Sequence, residues 1–95
     1  MSHATIKKKY PGKRADEIYE RVDEAMHHLA DKLSLHYEKD MMNLSGKVSK
    51  MGVHGTYVVR DDEVTIDLKY PMLVPGHMRQ RVQQDIERKL DELFA

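Results

Sequence analysis

The chain has 95 residues, which is room for one domain with one hydrophobic core. It has no cysteine, so disulfides, thiolate catalysis and cysteine-ligated metal sites are excluded, and a reducing compartment is expected. Sixteen basic and sixteen acidic residues cancel, which disfavours nonspecific binding to DNA or RNA. No segment has the apolar length of a signal peptide or a membrane span, so we expect a cytoplasmic protein.

Residues 1–14 predict a basic strand followed by a turn. Ala4 to Tyr10 alternates weakly, and Pro11-Gly12 ends the strand. The segment has no acidic residue and five basic ones, which are Lys7, Lys8, Lys9, Lys13 and Arg14. Lysines near a sheet edge discourage pairing with the edge of another sheet, so we interpret them mainly as residues that keep the protein soluble. A partner with an anionic surface is the alternative.

An amphipathic helix of about five turns follows this turn. Its apolar stripe recurs at three and four residues and consists of Ala15, Ile18, Val22, Met26, Leu29 and Leu33. Asp16 and Glu17 lie in the first turn and Lys32 in the last, which suits the helix dipole.

The middle of the chain predicts four strands. Their expected ranges are Leu35 to Lys39, Leu44 to Lys50, Val53 to Arg60 and Glu63 to Tyr70, with turns at Met41 to Asn43 and at Asp61-Asp62. Pro75 suits the first position of a closing helix, whose stripe is Met78, Val82, Ile86, Leu90 and Leu93.

This order of elements predicts an α+β fold in a single domain over residues 1–95. We expect one antiparallel sheet, in the order strand, helix, four strands, helix, with both amphipathic helices packed on its apolar face. We also expect bulky side chains to fill the space between helices and sheet, leaving no broad apolar patch.

Candidate catalytic and metal-binding residues have simpler structural interpretations. His27 lies four residues from both Asp23 and Asp31, a spacing that also arises on ordinary solvated helix faces. The serines lack the glycine context of a nucleophile, and Asp61-Asp62-Glu63 is typical of a solvated turn. We therefore predict no catalytic, cofactor or metal site.

Two glycines and several methionines have structural interpretations as well. Gly52 and Gly55 indicate a bulge, or a place where another element passes close. The connections carry apolar residues that we expect either to close the core or to form an apolar rim at one end of the sheet, contacting a partner; these are Met41, Met42, Met51, Met72, Leu73 and Val74.

Nearly the whole chain resembles a known family. The segments that carry the resemblance are IKKKYPGKRADE, VDEAMHHLADKLSLHY, NLSGKVSKMGVHGTYVV, DDEVTIDLKYPMLVP and QRVQQDIERKLDELFA. Together they resemble the polyhydroxyalkanoic acid system family, small bacterial proteins encoded near polyhydroxyalkanoate synthesis and granule genes. The turn at Asp40-Met41-Met42 departs from the glycine-containing turn expected of that family. The resemblance implies no enzymatic activity and no cofactor.

Three hypotheses about function follow. The first is a non-enzymatic accessory protein of the storage-polymer system that binds a granule surface or a granule protein. The second is a carrier of a small acyl or hydroxyacyl ligand, held between sheet and helices near the small residues Gly46 and Gly55. The third is a structural homodimer formed through a sheet edge, either Ala4 to Tyr10 or its neighbour. Whether the folded chain contains an enclosed apolar pocket with convergent polar groups, or a filled core, discriminates among them.

Overall fold

The computed structural model describes residues 2–71 and 74–94. Within them, five antiparallel strands form one sheet and two helices pack on it, which confirms the predicted α+β class. The elements are β1 (Ser2–Lys9), α1 (Ala15–Leu33), β2 (His36–Asp40), β3 (Ser45–Lys50), β4 (Val53–Arg60), β5 (Glu63–Tyr70) and α2 (Gly76–Leu93). The bounds of β4 and β5 agree with the sequence prediction. Neither helix in the described ranges has the length and apolar character needed to cross a bilayer.

The strands lie in the order β1-β5-β4-β3-β2, so β1 and β2 are the two edges. The register continues without interruption through Gly55, which pairs with Val48 and Leu68, so of the two interpretations of this glycine the bulge is wrong. Gly52 instead completes the two-residue turn between β3 and β4. Its φ of 86° and the φ of 51° at Met51 are both left-handed, as this kind of hairpin turn requires.

One face of the sheet is apolar and carries both helices. The buried core consists of side chains from this face and from the helices: Ile6, Ile18, Tyr19, Val22, Tyr57, Val59, Val64, Leu68, Tyr70 and Leu90. The other face is polar, and its cross-strand neighbours include His3 with Lys69 and Lys69 with His54. This division follows from strict alternation along β4 and β5.

The two helices converge at one end of the sheet, which we call the closed end. The β4–β5 turn lies here, and Asp61 Oδ1 accepts a hydrogen bond of 2.9 Å from the Ala15 backbone N–H, which caps the start of α1. Arg21 Nη1 donates to the Leu93 carbonyl oxygen at 3.0 Å and so joins α1 to the end of α2. These two hydrogen bonds therefore join α1 to the sheet and to α2 at this end.

Apolar side chains of both helices are exposed to solvent at the opposite end, which we call the open end. Here Lys50 donates a hydrogen bond to the carbonyl oxygen of Leu33, at the last residue of α1. Leu33 is 46 % exposed, and on α2 Val82 is 38 % and Met78 is 51 % exposed. The prediction that bulky side chains seal the whole layer is wrong at this end.

The spacing of the apolar stripe of α2 explains why its side chains are exposed at this end. Its members Met78, Val82, Ile86 and Leu90 are spaced by four residues, and each such step rotates about 40° beyond a full helical turn. Met78 is consequently displaced by about 120° around the helix from Leu90, which is 5 % exposed. A stripe that rotates in this way cannot face the sheet along its whole length.

Candidate functional site

An apolar groove of about 440 Å³ lies between the two helices and the sheet. One wall is formed by α1 through Val22, Ala25, Met26, Leu29 and Leu33, and the other by α2 through Val82, Ile86 and Leu90. The floor is formed by Val48, Val53, Gly55, Tyr57, Ile66 and Leu68 of the sheet. This volume falls within the range of ligand pockets, about 300–1,000 Å³. The groove is a depression open to solvent, neither a filled core nor an enclosed cavity.

Small residues make room for the groove. Gly55 lies in its floor, and a Cβ placed there would be 3.2 Å from Val48 Cγ2 and 3.3 Å from Leu68 Cδ2. Any larger side chain at this position would project over the floor. Ala25 has the same effect in the wall formed by α1.

Three charged residues line the groove. Lys50 stands at the open end, where its ammonium group is held by the Leu33 carbonyl oxygen. Asp85 and Lys89 lie on the α2 wall, and Asp85 pairs with Arg88 at 3.1 Å. The site therefore combines a long apolar surface with charges at its margin, an arrangement that suits an aliphatic ligand with a polar end.

Two hydrogen-bonded tyrosines, Tyr37 and Tyr57, form a cluster next to the groove floor. Tyr57, whose ring forms part of the floor, bonds through its hydroxyl to that of Tyr37, and Tyr37 donates to Asp23 Oδ1 at 2.7 Å. Lys39 Nζ lies 3.4 Å from the other Asp23 oxygen. These contacts join the edge strand β2 to α1 and to β4.

Burial is the main reason that the pKa of Tyr37 and the pKa of Tyr57 lie above the ordinary tyrosine value. Both hydroxyls therefore stay protonated at neutral pH. A protonated Tyr37 can donate to the Asp23 carboxylate, so the cluster is a fixed hydrogen-bond network.

His27 lies four residues from both Asp23 and Asp31 on α1, and a contact is formed with Asp23. His27 Nε2 lies 3.6 Å from Asp23 Oδ1, but that carboxylate is already engaged by Tyr37 and Lys39. Across residues 2–71 and 74–94, no group of three or more histidine and carboxylate side chains is arranged to hold a metal ion.

The predicted apolar rim is divided between the two ends of the sheet. Met41 and Met42 lie in the β2–β3 turn and are 66 % and 95 % exposed, whereas Met51 lies in the β3–β4 turn, at the opposite end of β3, and is 89 % exposed. Val74 packs against the buried residues Ile6, Leu68 and Tyr70. Met72 and Leu73 lie outside the described residues. The four described side chains form no continuous rim, and contact of either turn with a partner stays a prediction.

Sequence reasoning placed a pocket between sheet and helices only in the carrier hypothesis, expected a filled layer otherwise, and missed the cap on α1. It assigned Asp61 to a solvated turn, although this carboxylate caps α1 from 46 residues away, a contact that no local pattern encodes. The groove does have a sequence signal, since the stripe of α2 supplies only one apolar residue per turn over residues 78–90.

Comparisons with known proteins identify the family. A search of the curated proteins and a search of the solved structures both gave no match. A family model described as "putative polyhydroxyalkanoic acid system protein" matches residues 7–94, nearly the whole chain. The chain belongs to this polyhydroxyalkanoic acid system family.

Proposed function

We propose that this protein is a non-enzymatic binding protein of the polyhydroxyalkanoate system and that its groove holds the aliphatic part of a hydroxyacyl group. The observation that carries the proposal is the groove itself, an apolar surface from two helices and the sheet that this chain leaves uncovered. Exposing the groove residues Leu33 and Val82 to water is unfavourable, at about 25 cal/mol per Å² of apolar surface. A ligand that covers them recovers that free energy.

The family narrows the ligand chemistry. Polyhydroxyalkanoates are polyesters of hydroxy acids that carry alkyl groups, so soluble hydroxyacyl compounds and the polymer surface offer the same aliphatic chains. Each methylene group that enters the groove contributes about 0.8 kcal/mol. A chain that buries five methylene groups would gain about 4 kcal/mol from this term.

Thermal unfolding in the presence of 3-hydroxydecanoate and of 3-hydroxydecanoyl-CoA tests the proposal. A ligand at 100 times its Kd stabilises the folded chain by about 2.7 kcal/mol, which raises the Tm by roughly 10–20 °C for a domain of this size. Shorter chains such as 3-hydroxybutyrate should raise the Tm less, because fewer methylene groups are buried. No increase with any of these ligands would refute the proposal.

A pair of neighbouring variants locates the binding. Ala25→Trp places a large ring in the groove wall, whereas Glu24→Trp adds the same ring at an exposed position that does not line the groove. We expect the first variant to lose the ligand-induced Tm increase and the second to keep it. Equal responses from the two variants would show that the ligand binds elsewhere.

Association with storage granules is the second part of the proposal. It is supported by the exposed apolar side chains of both turns, Met41 with Met42 and Met51. Co-sedimentation with isolated granules should be reduced by the Met51→Ser variant or by the Met41→Ser/Met42→Ser variant. Failure of the wild-type protein to co-sediment, together with no granule protein retained by it, would refute granule association but not the groove ligand.

Dimerisation through a sheet edge and contact with an anionic partner stay predictions. The edge strand β1 carries Lys7, Lys8 and Lys9, which disfavour pairing with a second copy. Sedimentation at several protein concentrations tests the dimer.

A further inference from the structure

We propose that the ligand of the groove is an anionic amphiphile, with its charged head at the open end and its aliphatic tail directed toward the closed end. The inference rests on the proposed function and adds the charge class and the orientation of the ligand. The charged residues of the two helices that form the walls are distributed unevenly between the two ends of the groove.

The closed end of the helix layer is acidic. Residues 15–24 of α1 hold five acidic residues and one basic residue, and residues 85–93 of α2 hold four acidic and two basic ones. These two halves lie together, since Arg21 contacts Leu93 across the helices. Lys8 and Lys39 of the sheet pair with Asp91 and Asp23 at 3.3 and 3.4 Å, but the acidic side chains of the two helix halves still outnumber the basic ones, so this end disfavours a negatively charged head.

The open end is basic. Residues 76–84 of α2 hold Arg79, Arg81 and His77 and no acidic residue, and residues 25–33 of α1 hold one lysine, one aspartate and two histidines. Lys50 adds its ammonium group where α1 ends. The nearest acidic residue on the groove wall, Asp85, is neutralised by Arg88 at 3.1 Å.

The groove connects these two regions. Its apolar lining runs from Leu33 and Val82 at the open end to Val22 and Leu90 near the closed end. A carboxylate or a phosphorylated head at the open end leaves the tail to follow this lining inward. The same complementarity applies to a free hydroxy acid and to a coenzyme A thioester, which presents phosphates in place of the carboxylate.

Isothermal titration calorimetry with three ligands that share one tail tests the inference. 3-Hydroxydecanoate and 3-hydroxydecanoyl-CoA carry anionic heads, and methyl 3-hydroxydecanoate is neutral. We expect at least one anionic ligand to bind about tenfold or more tightly than the ester. The difference should shrink at 0.5 M NaCl, where the Debye length falls to about 4 Å and exposed charges are strongly screened.

Two double variants of equal net charge provide the control. Lys32→Gln/Arg81→Gln removes two cations at the open end, and Lys9→Gln/Lys13→Gln removes two at the closed end. The first should weaken binding of the anionic ligand by about two- to twentyfold and leave the ester unchanged, whereas the second should change neither.

The outcomes separate the two proposals. Equal binding of the acid, the thioester and the ester would overturn the anionic-head inference while the groove function stands. Binding of none of the three would overturn both. A preference between the acid and the thioester identifies which anionic source the open end recognises.

Discussion

The close approach of Tyr57 to Gly46 makes this glycine a sensitive test of the packing behind the groove. An alanine Cβ at position 46 would lie 2.5 Å from Tyr57 Cε1 and 2.7 Å from Cζ, distances that real Cβ atoms do not show. The ring cannot swing away freely, because its hydroxyl bonds to Tyr37 and the residue is 4 % exposed. Gly46→Ala must therefore displace the ring and its hydrogen bond together.

The expected cost of Gly46→Ala is about 1.5–3.5 kcal/mol. Overpacking contributes about 1–3 kcal/mol and the disturbed hydrogen bond about 1 kcal/mol, while the less flexible unfolded chain offsets about 0.5 kcal/mol. The Tm should fall by roughly 6–28 °C. Urea unfolding followed by circular dichroism measures the change in free energy.

Gly55→Ala is the matched control for this change. Its Cβ would meet the ends of the Val48 and Leu68 side chains at 3.2 and 3.3 Å, and these can relax toward the groove. We expect a cost below about 1 kcal/mol. If Gly46→Ala were no more destabilising than Gly55→Ala, the Tyr57 ring would not be fixed over β3 and the account of the cluster would be wrong.

Three further changes test contacts elsewhere in the fold. Asp61→Ala should destabilise the protein by about 1 kcal/mol in urea unfolding, because the Ala15 N–H loses its cap; an unchanged midpoint would contradict that role. Tyr37→Phe should cost about 1–3 kcal/mol, since Asp23 and the neighbouring hydroxyl lose their shared partner; a neutral result would show that the network does not contribute. Burial, with a smaller effect of Asp91, raises the pKa of Tyr10 to about 12, so the unfolded chain loses this proton first. The stabilisation that comes from the protonated Tyr10 hydroxyl is complete below pH 10 and declines as the pH rises toward 12. The urea midpoints at pH 8 and pH 11 should therefore differ less in Tyr10→Phe than in the wild type. An equal difference would show that Tyr10 does not contribute to the pH dependence.

The sequence predicts the strands well because each strand alternates against one apolar surface. Val64, Leu68 and Tyr70 are all buried, as the period of two requires, and β5 begins and ends where predicted. The family resemblance is likewise confirmed by the match over residues 7–94. The strands can be predicted because their alternation involves residues that are close together in the chain.

The groove depends instead on where each helix exposes its apolar stripe, and this is decided over the whole length of the helix. The stripe of α1 mixes spacings of three and four residues and stays on one face, so Ile18 and Val22 are buried. The stripe of α2 uses spacings of four up to Leu90 and rotates, which exposes Val82. Treating both stripes as equivalent led to the mistaken expectation of a filled layer. The link from Asp61 to α1 was missed because it joins residues far apart in the chain.

Methyl NMR of the isotope-labelled protein with bound 3-hydroxydecanoate shows directly whether the groove holds the aliphatic tail. The account predicts intermolecular NOEs from the aliphatic tail to the methyl groups of Leu29, Val82 and Ile86, which line the groove. Val58, 38 % exposed on the polar face of the sheet, should show none. NOEs to Val58 with none to the three groove residues would place the ligand on the other side of the sheet and contradict the account.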